Sequence, residues 1–150
     1  MIRTQPWTRP GSDAQTIWGD AHLPADLPDA RGVVLICHGF RGYKDYGFYP
    51  CLADYLAHAG YIAHRFNFSH SGMTRHIEQF ERIDLFERDT WGRQIDDLHA
   101  VAAAVRSGAL PGGNLPQVWF GHSRGGVTAL LAAQRAQGQP TLTAPVGIIT

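Results

Sequence analysis

The stretch Gln117-Val118-Trp119-Phe120-Gly121-His122-Ser123-Arg124-Gly125-Gly126 decides how this chain is interpreted. It begins as a short apolar strand, turns at a Gly-x-Ser-x-Gly pattern and continues into the helical sequence 127–137. A strand that enters a sharp turn and leaves as a helix can hold a serine hydroxyl clear of the backbone, facing a base. Ser123 is therefore the candidate nucleophile, and Gly121 and Gly125 fit the positions where the backbone crowds its neighbours.

Strands and helices alternate along the rest of the chain. The run Gly32 to Cys37 is apolar without alternation, which is typical of a strand buried on both faces of a parallel sheet. The pattern predicts strands at 2–8, 15–22, 32–37, 61–68, 117–120 and 145–150, and helices at 50–59, 90–105 and 127–137. This spacing predicts an α/β fold with a doubly wound, mostly parallel sheet. Residues 69–89 show no clear period and receive no prediction, although segments of this length are often functional.

The last predicted strand, 145–150, has no helix after it. Folded proteins usually cover or blunt an apolar edge strand of this kind. We therefore expect residues 1–150 to be the N-terminal part of a single domain, truncated before its last strands.

Composition excludes several classes of protein. Thirteen basic and thirteen acidic residues cancel, so we expect neither nucleic acid nor a membrane surface as a partner. The first residues lack a signal-peptide core, and no apolar run approaches the ~20 residues that cross a bilayer. Cys37 and Cys51 lie in apolar stretches and predict neither a disulfide nor a metal site, so both should pack like small hydrophobes. These features predict a soluble, cytoplasmic protein.

A second motif, His38-Gly39-Phe40-Arg41-Gly42, directly follows the buried strand at 32–37. An oxyanion hole needs two backbone amides that converge on one point, one after the nucleophile and one from the loop after an earlier strand. Phe40 and Arg124 are the candidate donors, and His38 and Gly39 support the loop.

Together these motifs resemble the α/β-hydrolases, and within them the feruloyl or cinnamoyl esterase and serine aminopeptidase-like group. The resemblance is carried by His38-Gly39-Phe40, Arg65-Phe66-Asn67-Phe68 and Gly121-His122-Ser123-Arg124-Gly125-Gly126, within residues 32–137. It implies an α/β-hydrolase sheet and a serine hydrolase that acts on carboxylic esters. The partner would be a small-molecule ester or amide, with no cofactor and no metal. It also implies an acid and a histidine base after later strands, beyond Thr150, so this chain alone should be inactive.

Two alternatives stay open: a serine peptidase of the same fold, and a non-catalytic binding module that keeps the fold and lacks the triad. The histidines within the chain do not favour a different base. His122 should point away from Ser123, since adjacent side chains at the end of a strand diverge. His38 should hold its loop in shape, and His70 and His76 could reach the mouth of the site, but we expect none of them to act as the base.

Other side chains have two interpretations each. Four cations near the predicted loops could favour acidic substrates, although surface placement is the simpler interpretation: Arg41, Lys44, Arg75 and Arg124. Six aromatic residues could line an acyl pocket or pack in the core: Tyr43, Tyr46, Phe48, Tyr49, Phe80 and Phe86. Asp96 and Asp97 lie on the polar side of the helix at 90–105 and predict a solvated face.

Overall fold

The structure, a computed structural model, describes residues 1–150. Six strands form one sheet: β1 (Arg3–Pro10), β2 (Thr16–Leu23), β3 (Val33–Cys37), β4 (Ile62–Asn67), β5 (Gln117–Gly121) and β6 (Gly147–Ile149). The α-helices are α1 (Tyr49–His58), α2 (Ile83–Phe86), α3 (Trp91–Arg106) and α4 (Arg124–Ala136), and a 3-10 turn spans Ser12–Ala14. None of the helices combines the length and apolarity needed to span a bilayer.

The strand order across the sheet is β1-β2-β4-β3-β5-β6. β1 pairs antiparallel with β2 and β2 antiparallel with β4, whereas β4, β3, β5 and β6 run parallel. The predicted doubly wound, mostly parallel α/β fold is therefore confirmed. Cys37 pairs with Gly121, so β3 and β5 end side by side. As a result, the loop after β3 meets the turn after β5.

Both faces of the sheet are covered, which explains why β3 is apolar at every position. Leu35 faces the larger core cluster, which includes buried residues of α3 and α4, such as Leu98 and Ala129. Val34 and Ile36 face the smaller cluster under α1. Successive strand residues point to opposite faces, so a strand between two helical layers has no polar side.

The predicted helix boundaries hold at most ends. The Thr90 hydroxyl accepts a hydrogen bond from the Arg93 amide, 3.3 Å away, as an N-cap does. Gly60 and Gly108 follow α1 and α3 with positive φ. One prediction is wrong: α4 begins at Arg124 rather than at residue 127.

Two further sequence interpretations are wrong. Asp97 is completely buried rather than solvated, and its carboxylate accepts hydrogen bonds from the Ser12 amide at 2.7 Å and the Ser69 amide at 2.7 Å. It therefore joins the β1–β2 connection to the segment after β4. Cys51 is exposed rather than packed, whereas Cys37 is buried as expected.

Candidate active site

Ser123 lies between β5 and α4 in a strained backbone conformation, with φ of 54° and ψ of −121°. These angles match the first central residue of a type II′ turn, a place that glycine usually takes. The Gly125 amide donates to the His122 carbonyl at 2.9 Å and closes the turn. The sharp turn exposes the Ser123 side chain to solvent at the end of the sheet.

The two glycines of the motif are required by close backbone contacts. A Cβ atom on Gly121 would overlap the carbonyl of Gly125, and one on Gly125 would overlap the carbonyl of Cys37. Gly125 thus lets the first turn of α4 pack directly against the end of β3. The sequence prediction places the start of α4 too late because Gly125 and Gly126, which are poor helix formers, lie inside its first turn.

Gly39 brings the loop after β3 against Ser123. A Cβ atom built on Gly39 would lie 3.3 Å from the Ser123 Cβ. The Gly39 carbonyl accepts hydrogen bonds from the Gly42 amide at 3.0 Å and from Nδ1 of His38 at 2.9 Å. In a trans peptide the carbonyl and the next N–H point in opposite directions. The two bonds to the Gly39 carbonyl therefore also fix the direction of the Phe40 N–H.

His38 is buried and neutral, which suits it to both of its hydrogen bonds. Burial lowers the pKa of His38 to about 4. A neutral ring can donate from Nδ1 to the Gly39 carbonyl while Nε2 accepts from the Phe68 amide at 3.2 Å. His38 thus connects its own loop to the segment that follows β4.

Two amides beside Ser123 have no hydrogen-bond acceptor in the protein: the N–H groups of Phe40 and Arg124. Phe40 follows Gly39, which touches Ser123, and Arg124 directly follows Ser123 as the first residue of α4. The sequence analysis predicts these same two amides as the oxyanion donors. The N-terminus of a helix also favours negative charge, because its peptide dipoles align.

The side chain of Arg124 is not on the surface, contrary to the simpler interpretation of the sequence. Its guanidinium contacts the Asp89 carboxylate at 3.1 Å and stacks over the rings of Phe40 and Trp91, at 5.6 and 5.3 Å. Burial raises the pKa of Asp89 even though Arg124 acts to lower it.

The Lys44 side chain is also largely shielded from solvent, with 11% of it exposed. Its ammonium lies 2.6 Å from the Asp20 carboxylate and 2.7 Å from that of Asp45, and Arg65 pairs with both acids. The Lys44 amide donates to the side chain of Asn67 at 2.7 Å. This network ties the far part of the loop after β3 to β2 and β4. Sequence reasoning missed both acids, because nothing local to them indicates a buried partner.

An open cavity of about 600 Å³ adjoins Phe40. One wall comes from the loop after β3 and the other from residues 71–86, the region that the sequence left unassigned. The residues lining this groove are mostly apolar: Phe40, Arg41, Tyr43, Ser71, Met73, Ile77, Glu78, Phe80, Ile83 and Phe86. Of the six aromatic candidates, Tyr43, Phe80 and Phe86 line the groove, whereas Tyr46, Phe48 and Tyr49 lie outside it. Arg41 is the one candidate cation in the groove, and Arg75 lies outside it.

No histidine in the chain forms a hydrogen bond with the Ser123 hydroxyl. His122 turns its Nδ1 to the hydroxyl of Tyr49, 3.1 Å away. His70 is buried beside the Ser69 hydroxyl, and His76 is exposed near Glu81. No three His, Cys, Asp or Glu side chains converge as a metal site would require.

The chain belongs to a family of α/β-hydrolases. The model of the family described as serine aminopeptidase, S33, matches residues 28–147, which include both loops around Ser123. No curated protein sequence matches the chain.

Solved structures of esterases share the fold. A bacterial brefeldin A esterase, a homologue of human hormone sensitive lipase, is 20% identical with a TM-score of 0.73 and covers 98% of this chain. A thermostable carboxyl esterase from Bacillus coagulans is 19% identical with a TM-score of 0.71 and covers 99%. Est1E from Butyrivibrio proteoclasticus, solved with ferulic acid, is 20% identical with a TM-score of 0.68 and covers 88%. The chain spans 38%, 44% and 48% of these three proteins, respectively.

Proposed function

We propose that the whole protein is a serine hydrolase that cleaves carboxylic esters, with Ser123 as its nucleophile. The observation that carries this proposal is the backbone of Ser123, at φ 54° and ψ −121° in the turn between β5 and α4. Strained backbone of this kind costs about 1–3 kcal/mol and persists where function benefits from it. The turn exposes the hydroxyl next to two amides that have no acceptor in the protein.

The proposed reaction is a two-step acyl transfer. The Ser123 Oγ attacks the ester carbonyl, and its proton passes to a histidine base. The carbonyl oxygen becomes an oxyanion that accepts hydrogen bonds from the amides of Phe40 and Arg124. The intermediate collapses to a Ser123 acyl ester as the protonated histidine gives its proton to the leaving alcohol. Water then attacks the acyl ester by the same route and releases the acid.

The base and its carboxylate partner are proposed to come from residues after Thr150, as the chain order of the family implies. Neither His38 nor His122 forms a hydrogen bond with the Ser123 hydroxyl. His38 bonds to Gly39 and Phe68, and Nδ1 of His122 bonds to Tyr49. By this proposal, residues 1–150 are the N-terminal part of one hydrolase domain and do not turn over substrate alone.

The groove supports an apolar group on the substrate. Its aromatic walls begin at Phe40, whose amide is the proposed oxyanion donor, so one substituent of a bound ester would extend along Phe80 and Phe86. Aromatic and aliphatic groups bury large areas in such a groove. We therefore propose small esters with one bulky apolar substituent as substrates.

Covalent labelling tests the proposed nucleophile. The full-length protein is treated with a fluorophosphonate, which reacts with activated serines, and the adduct is located by mass spectrometry. We expect one adduct, on Ser123, and none in Ser123→Ala. Ser71→Ala, which changes a serine lining the groove, should still be labelled. An adduct on Ser69 or Ser71, or no adduct at all, would contradict the proposal.

A serine peptidase remains the second candidate, because the description of the matching family names aminopeptidases. Full-length protein assayed with p-nitrophenyl butyrate and with alanine p-nitroanilide separates the two. Serine-dependent turnover of the ester alone supports an esterase. Faster turnover of the anilide would instead favour the peptidase.

A further inference from the structure

Tyr49, the first residue of α1, bridges the two loops that surround Ser123. Its side chain is 1% exposed. The hydroxyl oxygen accepts a hydrogen bond from the Gly39 amide at 3.2 Å and lies 3.1 Å from Nδ1 of His122. One buried hydroxyl therefore contacts both the loop after β3 and the turn after β5.

The direction of these hydrogen bonds follows from the donors available. The Gly39 N–H can only donate, so the hydroxyl proton of Tyr49 is left for His122. We therefore assign Nδ1 of His122 as the acceptor, with the ring proton on Nε2, because this arrangement gives the buried hydroxyl proton a partner. The ring of Phe48 packs edge-on against His122, with centroids 5.5 Å apart, and holds the imidazole in place.

We propose that Tyr49 is a positioning residue for the oxyanion hole, an inference that rests on the proposed function of Ser123. His38 and the Gly42 amide hold the carbonyl side of Gly39, and Tyr49 holds its amide side. With both sides fixed, the Phe40 N–H keeps its direction. The bond to His122 ties this loop to the turn that carries the second donor, Arg124, so both amides converge on one point.

The variant Tyr49→Phe in the full-length protein removes the hydroxyl and keeps the ring. Loss of an entire oxyanion donor lowers kcat by about 10²–10³. A donor that is present but loosened should cost less, and we expect kcat for p-nitrophenyl butyrate to fall roughly 10- to 100-fold with KM unchanged. The affinity for an aryl trifluoromethyl ketone, whose adduct with Ser123 carries an oxyanion, should fall by a similar factor.

Two sets of variants separate positioning from folding. Tyr55→Phe makes the same change on the same helix, at a side chain that is 73% exposed. Its kcat and its affinity for the ketone should equal those of the wild type. His122→Ala removes the acceptor from the turn and should reproduce the loss. His122→Asn offers an amide oxygen near the position of Nδ1, so it should retain most of the wild-type kcat and ketone affinity. His122 is exposed, so this pair serves if Tyr49→Phe does not fold.

The outcomes distinguish this inference from the proposal beneath it. If the wild type is active and labelled on Ser123 while Tyr49→Phe matches Tyr55→Phe in kcat and ketone affinity, the positioning role is wrong. A fall in kcat matched by a proportional fall in KM, with unchanged affinity for the ketone, would also overturn the positioning role. A wild type that is not labelled on Ser123 would overturn the proposed function itself.

Discussion

The guanidinium carbon of Arg124 lies 5.6 Å from the ring centroid of Phe40, so the two proposed oxyanion donors also touch through their side chains. The same guanidinium pairs with Asp89, whose side chain is only 4% exposed. A cation–π contact and a buried ion pair thus join the start of α4, the loop after β3 and the residue just before the N-cap of α3.

Removing Arg124 should destabilise the fold, because the Asp89 carboxylate would stay buried without its ion-pair partner and keep only neutral donors such as the Gln94 side chain at 2.7 Å. Breaking a buried pair in this way costs about 3–5 kcal/mol. We expect Arg124→Met to lower the free energy of unfolding by roughly 3 kcal/mol at pH 7, measured by urea denaturation. Adding Asp89→Asn should recover most of the loss, whereas additive losses would show that the pair is not coupled.

The buried carboxyl of Asp97 should make stability depend on pH. Burial raises the pKa of Asp97 to about 6, although three hydrogen bonds from Ser12 and Ser69 act to lower it. The folded chain then holds this proton more tightly than the unfolded chain does. The stabilisation is complete below about pH 4 and is lost as the pH rises through about 6, a change of roughly 3 kcal/mol.

Urea unfolding between pH 4 and pH 7 tests this dependence. The free energy of unfolding of the wild type relative to Asp97→Asn should fall as the pH rises across this window. Asp96→Asn changes the neighbouring exposed carboxylate and serves as the control. A difference between wild type and Asp97→Asn that stays constant with pH would contradict the assignment.

Phe80 should select for bulky apolar substrates through the groove. Phe80→Ala removes part of one wall and about 1.5 kcal/mol of apolar contact, so KM for an aryl-substituted ester should rise roughly tenfold. KM for p-nitrophenyl acetate should change little, because a methyl group does not reach this wall. Tyr55→Ala, on α1 outside the groove, provides the control. An equal effect on both esters would argue against the groove as the binding region.

The edge strand β6 should drive association of the 150-residue chain. β6 pairs with β5 alone; Val146 just before the strand and Ile149 at its end are 71% and 54% exposed. Unpaired apolar strands of this kind template contacts with other chains. We expect oligomers at micromolar concentration by light scattering, and a shift toward monomer in Ile149→Lys. As a control, Ile77→Lys in the groove should associate as the wild type does. A monomeric wild-type chain would refute the prediction.

The sheet could be predicted from the sequence because each strand is marked by residues within its own segment. The apolar run at β3 needs no knowledge of its neighbours, and the Gly-x-Ser-x-Gly motif marks the turn after β5 by itself. The misinterpretations of Asp97 and Lys44 have the opposite cause. Their partners are 28 residues away for Asp97 with Ser69 and 24 residues away for Lys44 with Asp20, so only the folded chain brings them together.

The region at 69–89 escaped prediction for a related reason. Its one helix, α2, has four residues, and Met73 and Phe80 form an isolated bridge, so no period could develop. The link between Tyr49 and His122 crosses 73 residues and was equally invisible. What sequence reasoning did find at the site was the pair of loops, because each follows its own recognisable strand.

The backbone at Ser123 has a consequence for protein engineering. Its positive φ of 54° suits glycine better than any residue with a side chain. A library screened only for heat resistance would therefore be expected to enrich glycine at position 123 and to discard the hydroxyl on which the proposed chemistry depends. Selection on this scaffold needs activity and thermal resistance scored together, because at this one position the two demands favour different residues.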